Sequence, residues 1–157
     1  MIVAAPVTAE GFAPYGELLM PPEGLGRRYA DEGLANLRPG AWPSLSIATI
    51  APLAGLPLEA VRMERHRFSS QSFLPMDAGR YLAVVAPHAA RGGPDEARAQ
   101  AFVVPGNIGI TYRADVWHHP MVALDRPASF AIVMWRDGGP GDEEFVALSV
   151  PLSIGIG

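Results

Sequence analysis

Three of the chain's four histidines lie in two short segments whose residue types suit a single pocket. The first reads Glu64-Arg65-His66-Arg67-Phe68-Ser69-Ser70-Gln71-Ser72-Phe73-Leu74-Pro75, the second Tyr112-Arg113-Ala114-Asp115-Val116-Trp117-His118-His119-Pro120. Side chains two apart on a strand share a face, so Glu64 and His66 point the same way. A carboxylate beside an imidazole can ligate a divalent metal or act as a general acid/base couple. The second segment adds an imidazole from a distant strand. His118 and His119 would face opposite ways there, so only one of them lines the pocket directly. Pro120 biases His119 to extended backbone, where a structural hydrogen bond suits it. Trp117 fits a core or a pocket wall.

Any one of these histidines alone would fit a hydrogen-bonded structural position. Glu-x-His, a glutamine five residues on and Trp-His-His-Pro downstream together point to chemistry. His88 has no such company; Pro87-His88-Ala89-Ala90-Arg91-Gly92-Gly93-Pro94 reads as a solvated loop.

Composition narrows the classes. With no cysteine in 157 residues, disulfides, thiolate nucleophiles and Cys-type zinc sites are excluded. All 12 basic residues are arginine, so a Schiff-base lysine is excluded too. A net charge of −4 with scattered basic residues argues against a nucleic-acid partner. No apolar run reaches membrane-span length, and the start lacks a charged segment ahead of an apolar stretch, so a cytoplasmic protein is expected. Charged residues are only 18%, which suggests that some surface is hidden in an oligomer. Gly-x-Ser-x-Gly, Gly-x-Gly-x-x-Gly, the phosphate-cradling Gly-x-x-x-x-Gly-Lys and His-Glu-x-x-His are all missing. Gly138-Gly139-Pro140-Gly141 reads as a turn.

The elements that must position these residues are mostly strands. Thr8 to Tyr15 predicts one short helix with Thr8 as N-cap and Gly16 as stop. Residues 1–44 as a whole read as an N-terminal excursion, Met20 to Gly40 being rich in Gly, Pro and charge. Beyond it, Leu45–Ala51, Leu58–His66, Gln71–Leu74, Tyr81–Ala86, Ala101–Val104, Gly109–Tyr112, Met121–Leu124, Ser129–Trp135 and Phe145–Val150 predict strands. Pro94 to Gln100 adds a helical turn or two. Runs of this length between turn signals indicate one all-β sandwich or barrel domain, with the barrel over about 45–150.

Glu64-x-His66, Gln71, Gly79 and a strand at Tyr81 resemble the first motif of the cupin barrels, where two histidines and a glutamate usually hold a metal. The segment ending in Trp117-His118 resembles the second cupin motif, which supplies the last histidine. Here Glu64 replaces the first histidine and Gln71 the glutamate, and a neutral amide is the weaker ligand. Glu64-Arg65-His66, Gln71-Ser72-Phe73-Leu74-Pro75-Met76, Tyr112, Val116-Trp117-His118-His119-Pro120 and Phe12-Ala13-Pro14-Tyr15-Gly16-Glu17 resemble more closely the ureidoglycolate lyase family. Order and spacing agree from about residue 7 to residue 145. Two stretches depart from that family's pattern. Asp31 to Arg38 lacks an Asn-rich run followed by Arg and an aromatic, and Trp135-Arg136-Asp137-Gly138 stands where Asp-Arg-Gly is favoured.

The resemblance implies a cupin-type antiparallel β-barrel (double-stranded β-helix or jelly roll) with one or two short helices. It further implies a cytoplasmic homodimer that splits (S)-ureidoglycolate into glyoxylate and urea in allantoin catabolism. On this reading His118 or His66 is the base and Glu64 sets its tautomer. Gln71 holds the ureido group or joins Glu64, His66 and His118 around a divalent metal, if one is bound. Tyr112, Arg113, Trp117 and His119 contact the substrate, an arginine pairing with its carboxylate. Two other readings stay open: a non-catalytic small-molecule-binding cupin, and a metal-dependent cupin isomerase or dioxygenase acting on another small acid.

Overall fold

Short β-rich runs broken by Gly and Pro fold into twelve strands, described here in a computed structural model covering residues 1–157. They are β1 (Ile2–Pro6), β2 (Gly16–Leu19), β3 (Trp42–Ile50), β4 (Leu58–His66), β5 (Gln71–Asp77), β6 (Tyr81–Ala86), β7 (Gln100–Val104), β8 (Gly109–Tyr112), β9 (Trp117–His118), β10 (Val122–Ala123), β11 (Ala128–Arg136) and β12 (Glu143–Ile156). One α-helix, α1 (Ala9–Phe12), follows β1, and a 3-10 turn at Glu96–Arg98 precedes β7. Thr8 caps α1 as its residue type suggests, its hydroxyl accepting from Gly11 N–H at 3.0 Å. The helix stops sooner than the sequence suggests, with Pro14 two residues past its end.

The strands form two sheets. The larger runs β10-β6-β7-β1-β12-β4-β9, and β9 also pairs with β6, so six of its strands close into a ring. The smaller, β2-β8-β5-β11-β3, packs against the ring's outer face. Inside the ring lies one apolar core, with Ala60, Met63, Leu82, Val84, Trp117 and Ile154 buried. Between the sheets lies a second core, rich in aromatics: Phe12, Phe73, Tyr81, Phe102, Tyr112 and Phe130. Edge-to-face pairs such as Tyr81–Phe130, with centroids 5.2 Å apart, lock those rings in register.

The expected barrel is therefore present, with corrections at its ends. Residues 1–44 are not all excursion: β1 joins the large sheet and β2 pairs with β8. β1 runs parallel to both β7 and β12, so the barrel is not wholly antiparallel. β12 continues past Val150 to Ile156 because its last residues pair with β1 and β4. These ends were hard to read because pairing with remote strands, not local pattern, makes them strands. Gly16 is required in β2: a Cβ there would lie 1.8 Å from Thr111 O. No helix is long and apolar enough to cross a membrane.

Candidate active site

The site forms where β4, β5 and β9 approach one another between the two sheets. Glu64 of β4 lies opposite His118 of β9, which in turn lies opposite Val85 of β6. His66 is two residues along β4, and Gln71 begins β5 after the connection 67–70. All four side chains are buried. The His66 and His118 ring centroids are 5.8 Å apart. Ligand atoms of Glu64, His66 and His118 all lie within 4.8 Å of one another.

Acceptors around the two rings constrain where their protons sit. His118 Nδ1 lies 2.9 Å from the Val116 carbonyl, an acceptor only, so Nδ1–H donates. His66 Nδ1 lies 3.3 Å from Asp142 Oδ2 and donates likewise. Both rings thus turn Nε2 toward the cluster. His118 Nε2 is 3.1 Å from Gln71 Oε1 and 3.5 Å from Glu64 Oε1. His66 Nε2 is buried without a partner. The His66 lone pair, the Glu64 carboxylate and the Gln71 amide oxygen therefore converge around His118 Nε2, whose partners there are acceptors only. Such a set needs a proton or a cation to bind it together, and imidazole and carboxylate donors suit a first-row divalent metal. Outer partners that pin the far nitrogen of each ring are also what metal-binding histidines require. The donor set fits such a metal.

Electrostatics favours the reactive protonation states. Burial pushes the Glu64 carboxyl up, but its hydrogen bond to His118 and the nearby His118, His66 and Arg62 charges outweigh this and hold it below the usual value. His66 is held below the ordinary 6.5, first by burial and then by His118, against the pull of Glu64 and Asp142. Both groups thus bind protons less readily in the folded chain than in the unfolded one. The stability they contribute is complete above their ordinary values and is lost as pH falls through the folded ones. For the metal-free protein, Tm should fall as pH is taken from 7 to 5, and less so in His66→Gln. A scanning-calorimetry pH series that leaves Tm flat in the parent would refute this.

A polar cavity of about 250 Å³ opens over the cluster, lined by His66, Gln71, Ser44, Ser46, Met134 and Asp142 among others. His66 and Gln71 form its wall, while Glu64 and His118 are not among its lining residues. His118 rests on Tyr112, whose ring stacks at 4.2 Å and 14°. Tyr112 is fully buried among Phe12 and Phe73, so it supports the histidine from behind the cavity.

Three other residues expected to touch substrate lie elsewhere. Trp117 points into the ring core, because alternation along β9 sends it opposite to His118. Arg113 donates to the Glu32 carbonyl at 2.6 Å and lines a separate groove with Glu17 and Arg28. His119 lies outside the cavity wall, with Nδ1 on the Pro120 carbonyl at 2.7 Å. Burial is the main cause of its lowered pKa. His88 is not simply solvated: its Nδ1 accepts from Trp117 Nε1–H at 3.2 Å, which puts the ring proton on Nε2, 2.8 Å from the Asp115 carbonyl. Asp115 has φ of 69°, an aspartate-tolerated left-handed turn, and its N–H donates to His66 O at 2.7 Å.

Sequence reasoning missed Asp142, Arg38 and the two serines of β3. Asp142 hides among turn residues, yet its Oδ1 accepts Phe68 N–H at 2.7 Å while Oδ2 faces His66. Gly138, at φ of 81°, lets the chain turn between β11 and β12 so that Asp137 and Asp142 both reach the cavity. Arg38 arrives because residues 35–37 dock on the β4–β5 connection: Leu37 N–H donates to Phe68 O at 2.8 Å and Ser70 N–H to Ala35 O at 3.0 Å. Ser44 and Ser46 face inward because β3 pairs in register with β11, opposite Met134 and Ile132. The detectable signal for them was alternation: small polar residues interleaved with Leu45 and Ile47.

Comparison with known proteins agrees with this geometry. A relative from Agrobacterium fabrum is 36% identical over 160 residues, covering 99% of this chain and 95% of its own length. Ureidoglycolate lyases from Brucella anthropi (35%, 84% of this chain and 81% of theirs) and Schizosaccharomyces pombe (31%, 90% and 88%) are similar over most of their length. Among solved structures, a dTDP sugar isomerase from Desulfovibrio desulfuricans superposes with a TM-score of 0.53 over 85% of each chain at 16% identity, a likeness of fold. The profile of the family described as ureidoglycolate lyase matches residues 1–154, and the chain belongs to that family.

Proposed function

We propose that the protein cleaves (S)-ureidoglycolate to glyoxylate and urea. The observation that carries this is a pair of imidazoles that turn Nε2 into one buried cluster, with His66 in the wall of a polar cavity, in a chain of this family. Cleavage removes the proton of the substrate hydroxyl, breaks the bond from that carbon to the ureido nitrogen, forms the glyoxylate carbonyl and protonates the departing nitrogen. His66 is the residue placed for both transfers. Its Nε2 is bare, its ring is held neutral, and it stands in the cavity wall. The proton it takes from the hydroxyl is the one it returns to nitrogen. Of the two histidines the sequence leaves open as base, the geometry favours His66, with His118 behind it.

In place of a free His66 base, a divalent metal would be held by Glu64, His66, Gln71 and His118; it would occupy the His66 Nε2 lone pair and supply Lewis-acid polarisation of a substrate oxygen. With His66 so engaged, Asp142 still fixes its far nitrogen. Purified protein incubated with ureidoglycolate, with and without added Mn²⁺, Ni²⁺ or Zn²⁺, should release glyoxylate; no release under any condition would end this reading.

The same reading includes a cytoplasmic homodimer. The outward side of the smaller sheet is apolar and open: Leu45 is 69% exposed, Ile47 65%, Met76 62% and Leu74 41%. Such a patch on an edge strand is a liability for a monomer and suits a second copy of the chain, with about 800 Å² covered per subunit. Light scattering should give a dimer for the parent and a monomer for Ile47→Glu; a monomeric parent at micromolar concentration would remove the dimer.

A further inference from the structure

Only two of the 12 arginines line the cavity, Arg38 and Arg136. Arg136 is exposed. Arg38 is built in, with its side chain 13% exposed. Nη1 pairs with Asp137 Oδ2 at 2.8 Å, and Nη2 donates to the Trp135 carbonyl at 3.1 Å. The Phe68 ring lies 5.8 Å from its guanidinium carbon. Asp142 Oδ2, the oxygen that faces His66, is 3.9 Å from Nη2, too long for a hydrogen bond. A guanidinium has five N–H donors, and here Nε is buried with no acceptor. A buried cation with a donor unpaired costs free energy that an arriving carboxylate would recover, Nε and Nη2 together matching its two oxygens.

We propose that Arg38 anchors the carboxylate of the substrate, with Asp137 as the positioning residue that holds its fork. This rests on the lyase reading and deepens it: the site selects small 2-hydroxy carboxylates and holds them beside the His66 ring. Arg38 touches neither the bond that breaks nor the proton that moves, so its contribution is to binding. The two stretches that depart from the family's pattern, Asp31–Arg38 and Trp135–Gly138, meet in this ion pair.

Steady-state kinetics of Arg38→Gln and Arg38→Lys provide the test. Arg38→Gln should raise KM about 10- to 100-fold, the worth of a charge-assisted bidentate contact, with kcat changed by less than about threefold. Glyoxylate, which keeps the carboxylate, should lose potency as a product inhibitor by the same factor, while urea should not. Arg38→Lys should lie between, since an ammonium keeps charge but not the fork; it also serves if the glutamine variant does not fold. Unchanged KM and glyoxylate inhibition would overturn the proposal. So would a fall in Tm with both inhibitors weakened alike, which marks a strut. Should the parent release no glyoxylate, calorimetric titration with glycolate separates the two ideas. Binding that weakens in Arg38→Lys keeps the anchor and removes the lyase; absence of binding removes both.

Discussion

His66→Ala should lower kcat for glyoxylate release by roughly 10²–10⁴-fold, the usual worth of a positioned acid or base. The size follows from its being the only imidazole in the cavity wall and from the bare Nε2 that its bond to Asp142 enforces. The parent's kcat/KM should fall on the acid side only below the ordinary histidine range, because burial holds His66 neutral down to lower pH. Glu64→Gln should fall between parent and His66→Ala: it keeps shape but removes the carboxylate charge from a cluster that holds two imidazoles. His118→Ala should match His66→Ala, since His118 alone contacts Glu64, Gln71 and the Tyr112 ring at once. Melting temperatures close to the parent's separate chemistry from folding damage. A His66→Ala enzyme that keeps a tenth of the parent's kcat would rule His66 out as the base.

Much of this site was legible because it sits on local pattern. Glu64 and His66 share a face through the two-residue period of a strand, and β4 spans Leu58–His66 as the apolar run suggests. His118 and Gln71 were found by type and company, and the fold joins them to the pair on β4. The illegible residues come from tertiary pairing. Trp117 takes the core position that its residue type allows, and alternation along β9 turns it away from the substrate contact that the family resemblance implies. Arg113 lies one residue past the end of β8, and its guanidinium caps the excursion at Glu32 instead of reaching across. Arg38 and Asp142 belong to segments with no periodicity, so nothing local assigns them to His66. What brings them there is the β4–β5 connection, where Ser69 Oγ accepts Trp135 N–H at 2.9 Å and Arg67 N–H donates to Asp142 O at 2.9 Å. A loop that exchanges hydrogen bonds with three distant segments is a structural hub that residue types alone do not reveal.

The least visible of these residues carries the second large effect. Asp142→Asn should lower activity and divalent-metal affinity about 10- to 100-fold, the usual consequence of losing the outer partner of a site histidine. The carboxylate has two duties: Oδ1 accepts Phe68 N–H, and Oδ2 accepts His66 Nδ1–H. An asparagine keeps one oxygen and presents an NH₂ in place of the other. With the oxygen retained by the main chain, the NH₂ faces His66, whose Nδ1 must then accept. The proton moves to Nε2, and the lone pair that served as base or ligand leaves the cavity. Losing the negative charge also lowers the His66 pKa further, since Asp142 is one of the two groups that raise it. The acid limb of kcat/KM should accordingly shift to lower pH even as the plateau drops. Imidazole ¹H–¹⁵N correlation spectra should show His66 protonated on Nδ1 in the parent and on Nε2 in Asp142→Asn. Asp142→Ala would add a buried, unpaired Phe68 N–H at about 1–3 kcal/mol, so the amide variant is the cleaner probe. An Asp142→Asn enzyme with the parent's tautomer, pH profile and metal affinity would show that this aspartate serves only the main chain.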